Sequence, residues 1–325
     1  VKALISGRLE RAVGAIVGSA VGDALGAPFE FGLPAAFSLR FPEPGGGGEM
    51  SGGGGWDAGE ATDDTQMAVH VGESLLERAG LDPADIFRRF QLWAAAEPKD
   101  IGLQTEDVLT NGEPWDRAAA AHFRVNHRAA GNGALMRATT SGVYFAGQGR
   151  AVTMDAARRI AALMHGDRAA WEGTAIFHEL LRVALEGGDP IGAVGDTVAQ
   201  VHPEHRERYS AVLAPTWHPD DATEFNGAVW PCLASAVWAL RTTTSYEEAV
   251  RAAIDLGGDT DTVAAVTGGL AGAVYGFDAI PVRWTEPLHV PLPGAGDRVL
   301  RLQDVVHLAR RLDRSGRAAS VKGSD

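Results

Sequence analysis

A chain of 325 residues with a formal net charge of −13 is poorly suited to general nucleic-acid binding, which needs a basic surface for the phosphates. Hydrophobic residues make up 45% and charged residues 22%, enough for a substantial core in one large domain or two moderate ones. The one cysteine, Cys232, excludes an internal disulfide and makes a reducing, cytoplasmic setting the expectation.

The first apolar run, 12–22, follows Arg8 and Arg11 and has a faint likeness to a signal peptide. Asp23 ends it without a clear cleavage site, so a buried helix is expected, and no segment is expected to reach a membrane span. This run begins a ladder of Gly14, Gly18, Gly22 and Gly26; a second ladder holds Gly268, Gly272 and Gly276. A four-residue step keeps glycines on one helix face, where another backbone can approach. Glycine costs about 1 kcal/mol per helix-interior position relative to alanine. The pattern therefore predicts two helices in close contact at the centre.

Segment 41–59, rich in glycine and proline, is expected to be a surface loop, with 45–59 a candidate lid. Apolar spacing predicts helices over 83–97, 153–164, 169–186, 227–240, 246–256 and 298–312. Asp82-Pro83 is a start signal, and Ser245 with Glu248 resembles a capping box. Trp230 and Trp238 are expected in the core, and His202 and His205 in solvent. Convincing period-2 strands are scarce. The expectation is an all-α fold in one helical domain over 1–313, with polar 202–224 joining helices and a disordered tail over 314–325.

Two acidic blocks carry the strongest chemical signal: Thr62-Asp63-Asp64-Thr65 and Gly257-Gly258-Asp259-Thr260-Asp261-Thr262. Each alone reads equally well as a helix cap followed by first-turn acids that suit the macrodipole. Brought together, four carboxylates would force protonation or demand a cation. Hard oxygen ligands suit Mg²⁺ or Mn²⁺. Glu30, between Phe29 and Phe31, is an acid/base candidate if partly desolvated, and otherwise an exposed loop acid. Asp100 reads first as a helix cap. Residues 131–136 form a small-residue loop entering a helix, a setting that can present N–H groups to a diphosphate or be a plain turn tied by Asn132. Arg137 reads as a structural ion-pair residue and His165 as a helix C-terminal dipole partner. Trp56 lies in the loop before Thr62, within reach of a ligand.

In order, the segments Gly18-Ser19-Ala20-Val21-Gly22-Asp23-Ala24-Leu25-Gly26, Thr62-Asp63-Asp64-Thr65-Gln66, Asp100-Ile101-Gly102, Gly131-Asn132-Gly133-Ala134-Leu135-Met136-Arg137, His165 and Gly257–Thr262 resemble the ADP-ribosylglycohydrolase family, which includes the dinitrogenase reductase-activating glycohydrolases. The resemblance implies a compact orthogonal helical bundle and a binuclear Mg²⁺ or Mn²⁺ centre. Its ligands would be Thr62, Asp63, Asp64, Asp259, Asp261 and Thr262. It implies catalytic roles for Glu30, Asp100, Asp63 and Asp261, and substrate contacts from Gly102, Gly131, Asn132, Gly133, Ala134, Met136 and His165. The implied reaction is cleavage of the bond joining ADP-ribose to an acceptor. Protein arginine is the first expectation; serine, O-acetyl and nucleic-acid linkages remain open. The implied partner is an ADP-ribosylated protein or small ADP-ribose conjugate, with no membrane. Two rivals stand beside it: a two-metal phosphoester hydrolase, and a non-catalytic ADP-ribose binder or structural protein.

Overall fold

Where the glycine ladders meet, two backbones touch. The computed structural model describes residues 7–296 and 298–322. The helices Arg8–Gly26 and Thr260–Tyr275 pack face to face through the two ladders. A side-chain carbon on Gly14, Gly22 or Gly26 would collide with the carbonyl oxygen of Gly272, Ala264 or Thr260, and one on Gly272 with that of Gly14. Gly276 departs from the expected pattern. It lies just past the helix end at φ 84°, so it stops the helix, while its backbone still lies against Gly14.

This contact yields a stability prediction. Gly272→Ala should destabilise the fold by about 3 kcal/mol, because overpacking against backbone outweighs the roughly 1 kcal/mol gain in helix propensity. Gly195→Ala, in the helix Val194–Val198 where nothing lies within 4 Å, should be neutral or mildly stabilising. Urea denaturation of both variants checks the pair; equal stability would refute the close-contact account.

The remaining helices surround this axis, among them Asp63–Glu77, Pro83–Ala95, Arg150–Ala161, Arg168–Leu185, Val229–Thr242 and Tyr246–Ile254. The fold is all-α apart from one antiparallel strand pair among the described residues. Its strands are His289–Leu292 and Arg298–Arg301, in register His289↔Arg301. Ser245 caps its helix by accepting from the Glu248 N–H (3.2 Å).

Several expectations need correction. Residues 298–301 form a strand, and the last helix, Leu302–Lys322, runs through most of the segment expected to be a disordered tail. Gly316 is the reason: lacking a side chain, it fits against the Tyr144 backbone, and Asp313 one turn earlier accepts from Arg8 Nε (2.8 Å). Residues 323–325 lie outside the described set. The polar 202–224 stretch contains the helix Pro203–Val212, anchored by buried Tyr209, whose hydroxyl donates to the Ala169 carbonyl (2.6 Å). Arg8–Phe29 is long and apolar enough to cross a membrane by length and composition, contrary to expectation; here it is the buried central helix. Trp230 and Trp238 are half-buried: Arg208 lies 4.1 Å over Trp230, and His218 packs edge-on to Trp238. His202 is exposed, but His205 is half-buried. Loop 41–59 is irregular and pinned at buried Glu49, which pairs with Arg283 (3.2 Å).

Candidate active site

The first acidic block opens the helix Asp63–Glu77. Thr62 takes an extended conformation and its hydroxyl accepts from the Asp64 N–H (3.3 Å), which starts the helix with both aspartates in its first turn. Asp23, on the central helix, fixes this start. Its carboxylate accepts from the N–H groups of Thr62 (3.0 Å) and Thr65 (3.1 Å) and from the Thr65 hydroxyl. Burial raises the Asp23 carboxyl to about 6, against the pull of those hydrogen bonds.

The second block is set by a double-glycine turn. Gly257 and Gly258 both have φ near +70° (70° and 73°), a conformation that side-chain-bearing residues rarely adopt. Asn226 clamps this turn: its Oδ1 accepts from the Asp259 N–H (2.9 Å) and its Nδ2 donates to the Gly257 carbonyl (2.8 Å). Asp259 makes no side-chain cap bond to its own helix. Its Oδ2 instead accepts from Asn132 Nδ2 (2.9 Å). The capping role weighed for this block therefore does not hold.

Folding brings the two blocks together. The Thr262 hydroxyl donates across the gap to Asp64 Oδ1 (3.4 Å). Glu30, Asp63, Asp64, Asp100, Asp259 and Asp261 line one cavity of about 410 Å³, joined by Thr262, Gly102, Gly131, Asn132, Gly133, Met136 and His165. Carboxylate oxygens of Glu30, Asp259 and Asp261 lie within 4.8 Å of one another. Two expected site residues stand outside this lining. Thr62 is fully buried behind it, and the Ala134 side chain packs with Ala161 and Ala170.

Crowded carboxylates in a desolvated pocket resist ionisation. Burial, then Asp100 and Asp23, pushes Asp63 well above the usual range; burial, then Asp23 and Asp63, does so for Asp64; burial, then Asp259 and Asp64, for Asp261. Glu30 rises to about 7, through burial first and then Asp259, Asp100 and Asp23. Asp64 Oδ2 is buried with no hydrogen-bond partner. An orphaned buried oxygen among hard-oxygen donors fits a divalent cation. A separate group, Asp57, Glu60 and His289, already holds an ammonium: Lys99 Nζ is 2.6 Å from Glu60.

The neighbours of the cavity correct other readings. Asp100 caps no helix; its Oδ1 accepts from the Ile101 N–H (2.9 Å) in the link before the helix Leu103–Thr110. Arg137 makes no direct ion pair within 4.0 Å, although the charges of Asp63 and Asp64 favour its own. Its buried guanidinium donates to Met67 Sδ (2.8 Å) and lies 5.5 Å over Phe90, with Nη2 unpartnered. His165 is no charged dipole partner, since burial and then Arg137 push its pKa well down and keep the ring neutral. The helix after the 131–133 loop is a single turn, Gly133–Met136, too short to add a macrodipole. Trp56 faces Lys99 (5.7 Å).

A second cavity, about 620 Å³, adjoins the first through Gln104 and Gly131 and is bordered by Arg128, Arg208, Phe225 and Trp230. None of these four stood out as site residues in the sequence. A third, about 550 Å³, shares no lining residue with the acidic one and is mostly apolar.

With this geometry in place, known proteins offer a comparison. The ADP-ribosylglycohydrolase family profile matches residues 5–318. The chain is 28% identical over 285 residues to the ADP-ribosyl-[dinitrogen reductase] glycohydrolase of Rhodospirillum rubrum, covering 86% of this chain and 90% of that protein. It is 28% identical over 290 residues to the ADP-ribosylarginine hydrolase Tri1 of Pseudomonas putida strain GB-1, covering 86% and 74%. A solved structure described as an ADP-ribosylglycohydrolase-related protein complex superposes with a TM-score of 0.73 at 35% identity, covering 95% of this chain and 99% of the other.

Proposed function

The chain belongs to the ADP-ribosylglycohydrolase family and is a hydrolase; from that premise we propose that its acidic cavity cleaves the bond between C1″ of ADP-ribose and a guanidine nitrogen of a modified protein arginine. The observation that carries the reading is the meeting of two distant aspartate blocks around Asp64 Oδ2, a buried oxygen left without a partner. Asp63 and Asp64 with Asp259, Asp261 and Thr262 would hold two divalent cations, Mg²⁺ or Mn²⁺, and Thr62 would support them from behind as the cap of the helix that carries both aspartates. When bound, these would offset the carboxylate charge and lower the pKa of a nearby water.

The chain's own groups supply the rest. Glu30 borders the cavity beside Asp259 and Asp261, with a carboxyl poised near neutrality. It takes one proton from the attacking water as the water oxygen bonds to C1″ and the C1″–N bond breaks. That proton passes to the departing guanidine, which leaves as a guanidinium. Asp100 faces the same space and orients the ribose or the leaving group. The pyrophosphate follows the 131–133 backbone, and the adenosine end enters the second cavity beside Arg128, Arg208 and Trp230. Asn132 has a different task from the one first expected: its amide is committed to Asp259 and the Asn226 carbonyl, so it positions a metal-binding carboxylate.

The test is a panel of conjugates: ADP-ribosyl-arginine peptide, ADP-ribosyl-serine peptide and a generic phosphoester, each with Mg²⁺, Mn²⁺ or chelator. Release of free ADP-ribose from the arginine conjugate, lost on chelation, is expected. Release of AMP or phosphate, or cleavage indifferent to chelator, would overturn the reading.

A further inference from the structure

Two phenylalanines stand exposed beside the acidic cavity, Phe31 in its lining and Phe225 in the lining of the adjoining one. Phe31 is 73% exposed and Phe225 is 56% exposed. Their rings stack with centroids 6.3 Å apart and planes inclined by 24°. Phe31 follows Glu30 directly and borders the cavity. Phe225 lies on the double-glycine turn: a side-chain carbon on Gly258 would come within 3.0 Å of its Cε2. One on Gly227 would meet the ring at 3.0 Å and Asp259 Oδ2 at 3.5 Å. The two rings are thus carried by the segments that place Glu30 and Asp259.

The backbone holds Phe31 there against its own preference. Its φ is 58°, in the left-handed region that a bulky residue seldom enters. The Phe31 N–H donates to the Gly258 carbonyl (2.6 Å), and Gly32 bridges to Gly258 in the next step. Backbone strain and exposed aromatic surface both work against stability. Strain of this kind, next to reacting groups, calls for a use outside packing.

We propose that Phe31 and Phe225 form the platform on which the acceptor's guanidinium stacks, and so set the preference for arginine-linked over hydroxyl-linked ADP-ribose. This rests on the hydrolase reading above. The chemistry is specific. A phenyl ring offers no hydrogen bond to a serine acceptor, but its face attracts a cation. A guanidinium is planar and weakly hydrated, so it stacks on such faces readily. The carboxylates lining the cavity add a field of the matching sign. The adjoining cavity carries its own aromatic, Trp230, with Arg208 over one face.

The test compares kcat/KM on an ADP-ribosyl-arginine peptide with an ADP-ribosyl-serine peptide, used as substrate or competitive inhibitor, and with the Kd of free ADP-ribose. Phe31→Ala and Phe225→Ala should each lower kcat/KM on the arginine conjugate about tenfold, mainly through KM. For Phe31→Ala, ADP-ribose affinity and turnover of the serine conjugate should stay within about twofold, and Phe31→Trp should retain wild-type preference. Equal losses on both linkages would assign the rings a general structural role and overturn the proposal. Weakened ADP-ribose binding in Phe31→Ala would make the rings a base platform and overturn it too. Unchanged variants of an active enzyme would sink this proposal alone. A wild-type protein that binds ADP-ribose but cleaves neither conjugate would remove the hydrolase reading, and this one with it.

Discussion

Asp64→Asn should lower kcat/KM by about a thousandfold while making the metal-free protein more stable. Asp64 is 2% exposed, and one of its oxygens has no partner. In the absence of cations, its charge is opposed by burial and then by Asp23, Asp63 and Asp259. Asparagine keeps the shape and removes the charge, so repulsion within the cluster falls. The same change strips a hard-oxygen ligand from the proposed centre. Wild-type protein should gain thermal stability on adding Mg²⁺ or Mn²⁺, because a ligand that binds only the folded state stabilises it; the variant should lose most of that gain. Asp259→Asn probes the other block. If both blocks serve one centre, the double variant should be scarcely worse than either single one, since residues acting as a unit are not additive. Wild-type turnover in Asp64→Asn, or multiplicative losses in the double variant, would separate the blocks again.

The residues that sequence reasoning found share a trait: their signal is local. The glycine step is visible because a helix repeats nearly every four residues, and close approach needs the absence of a side chain on that one face. The aspartate blocks are visible because two acids and a threonine sit together in each. What escaped depends on partners far along the chain. Asn226 matters through bonds to Gly257 and Asp259, and nothing in the polar stretch before it marks that role. Phe225 and Trp230 matter through the cavity they border. Asp23 left a trace that was readable in principle, an acid beside Gly22 in an otherwise apolar helix, where a buried charge needs a specific partner. The tail misled for the opposite reason. Its small, polar composition suggests disorder, yet Gly316 is what lets the helix lie against Tyr144. Arg137 looked like half of an ion pair; its position opposite Met67 and Phe90 depends on packing that no local pattern encodes.

Raising the pH from about 4 to 7 should cost the chelated protein stability relative to the cation-loaded protein. Buried His70, His165 and His178, held below their ordinary value first by burial, gain stability over this window in both forms, so the carboxylates set the difference between the forms. Asp23 rises from 3.8 to about 6 and Glu30 from 4.5 to about 7, while Asp63, Asp64 and Asp261 also rise. Below the unfolded values, both states are protonated and the stability is fully present. Between the unfolded and folded values the folded chain holds more protons, so stability falls as pH rises through the folded pKa. For fully buried Asp23 the shift corresponds to about 3 kcal/mol. Asp85 works in the other direction: burial opposes its charge, but Arg78, Arg89, Arg88 and Ser74 outweigh it and hold the carboxyl below its ordinary 3.8. Its contribution is present above that value and is lost only as pH falls through the depressed one, outside the window. Urea midpoints at several pH values, with EDTA and with Mg²⁺, separate the two cases. Cations take the place of the protons, so their binding should release protons near pH 6, measurable by calorimetry in buffers of different ionisation enthalpy. A chelated protein whose stability follows pH just as the cation-loaded protein's does would mean that the carboxylates already have compensating partners, and the cavity would then have no need of a metal.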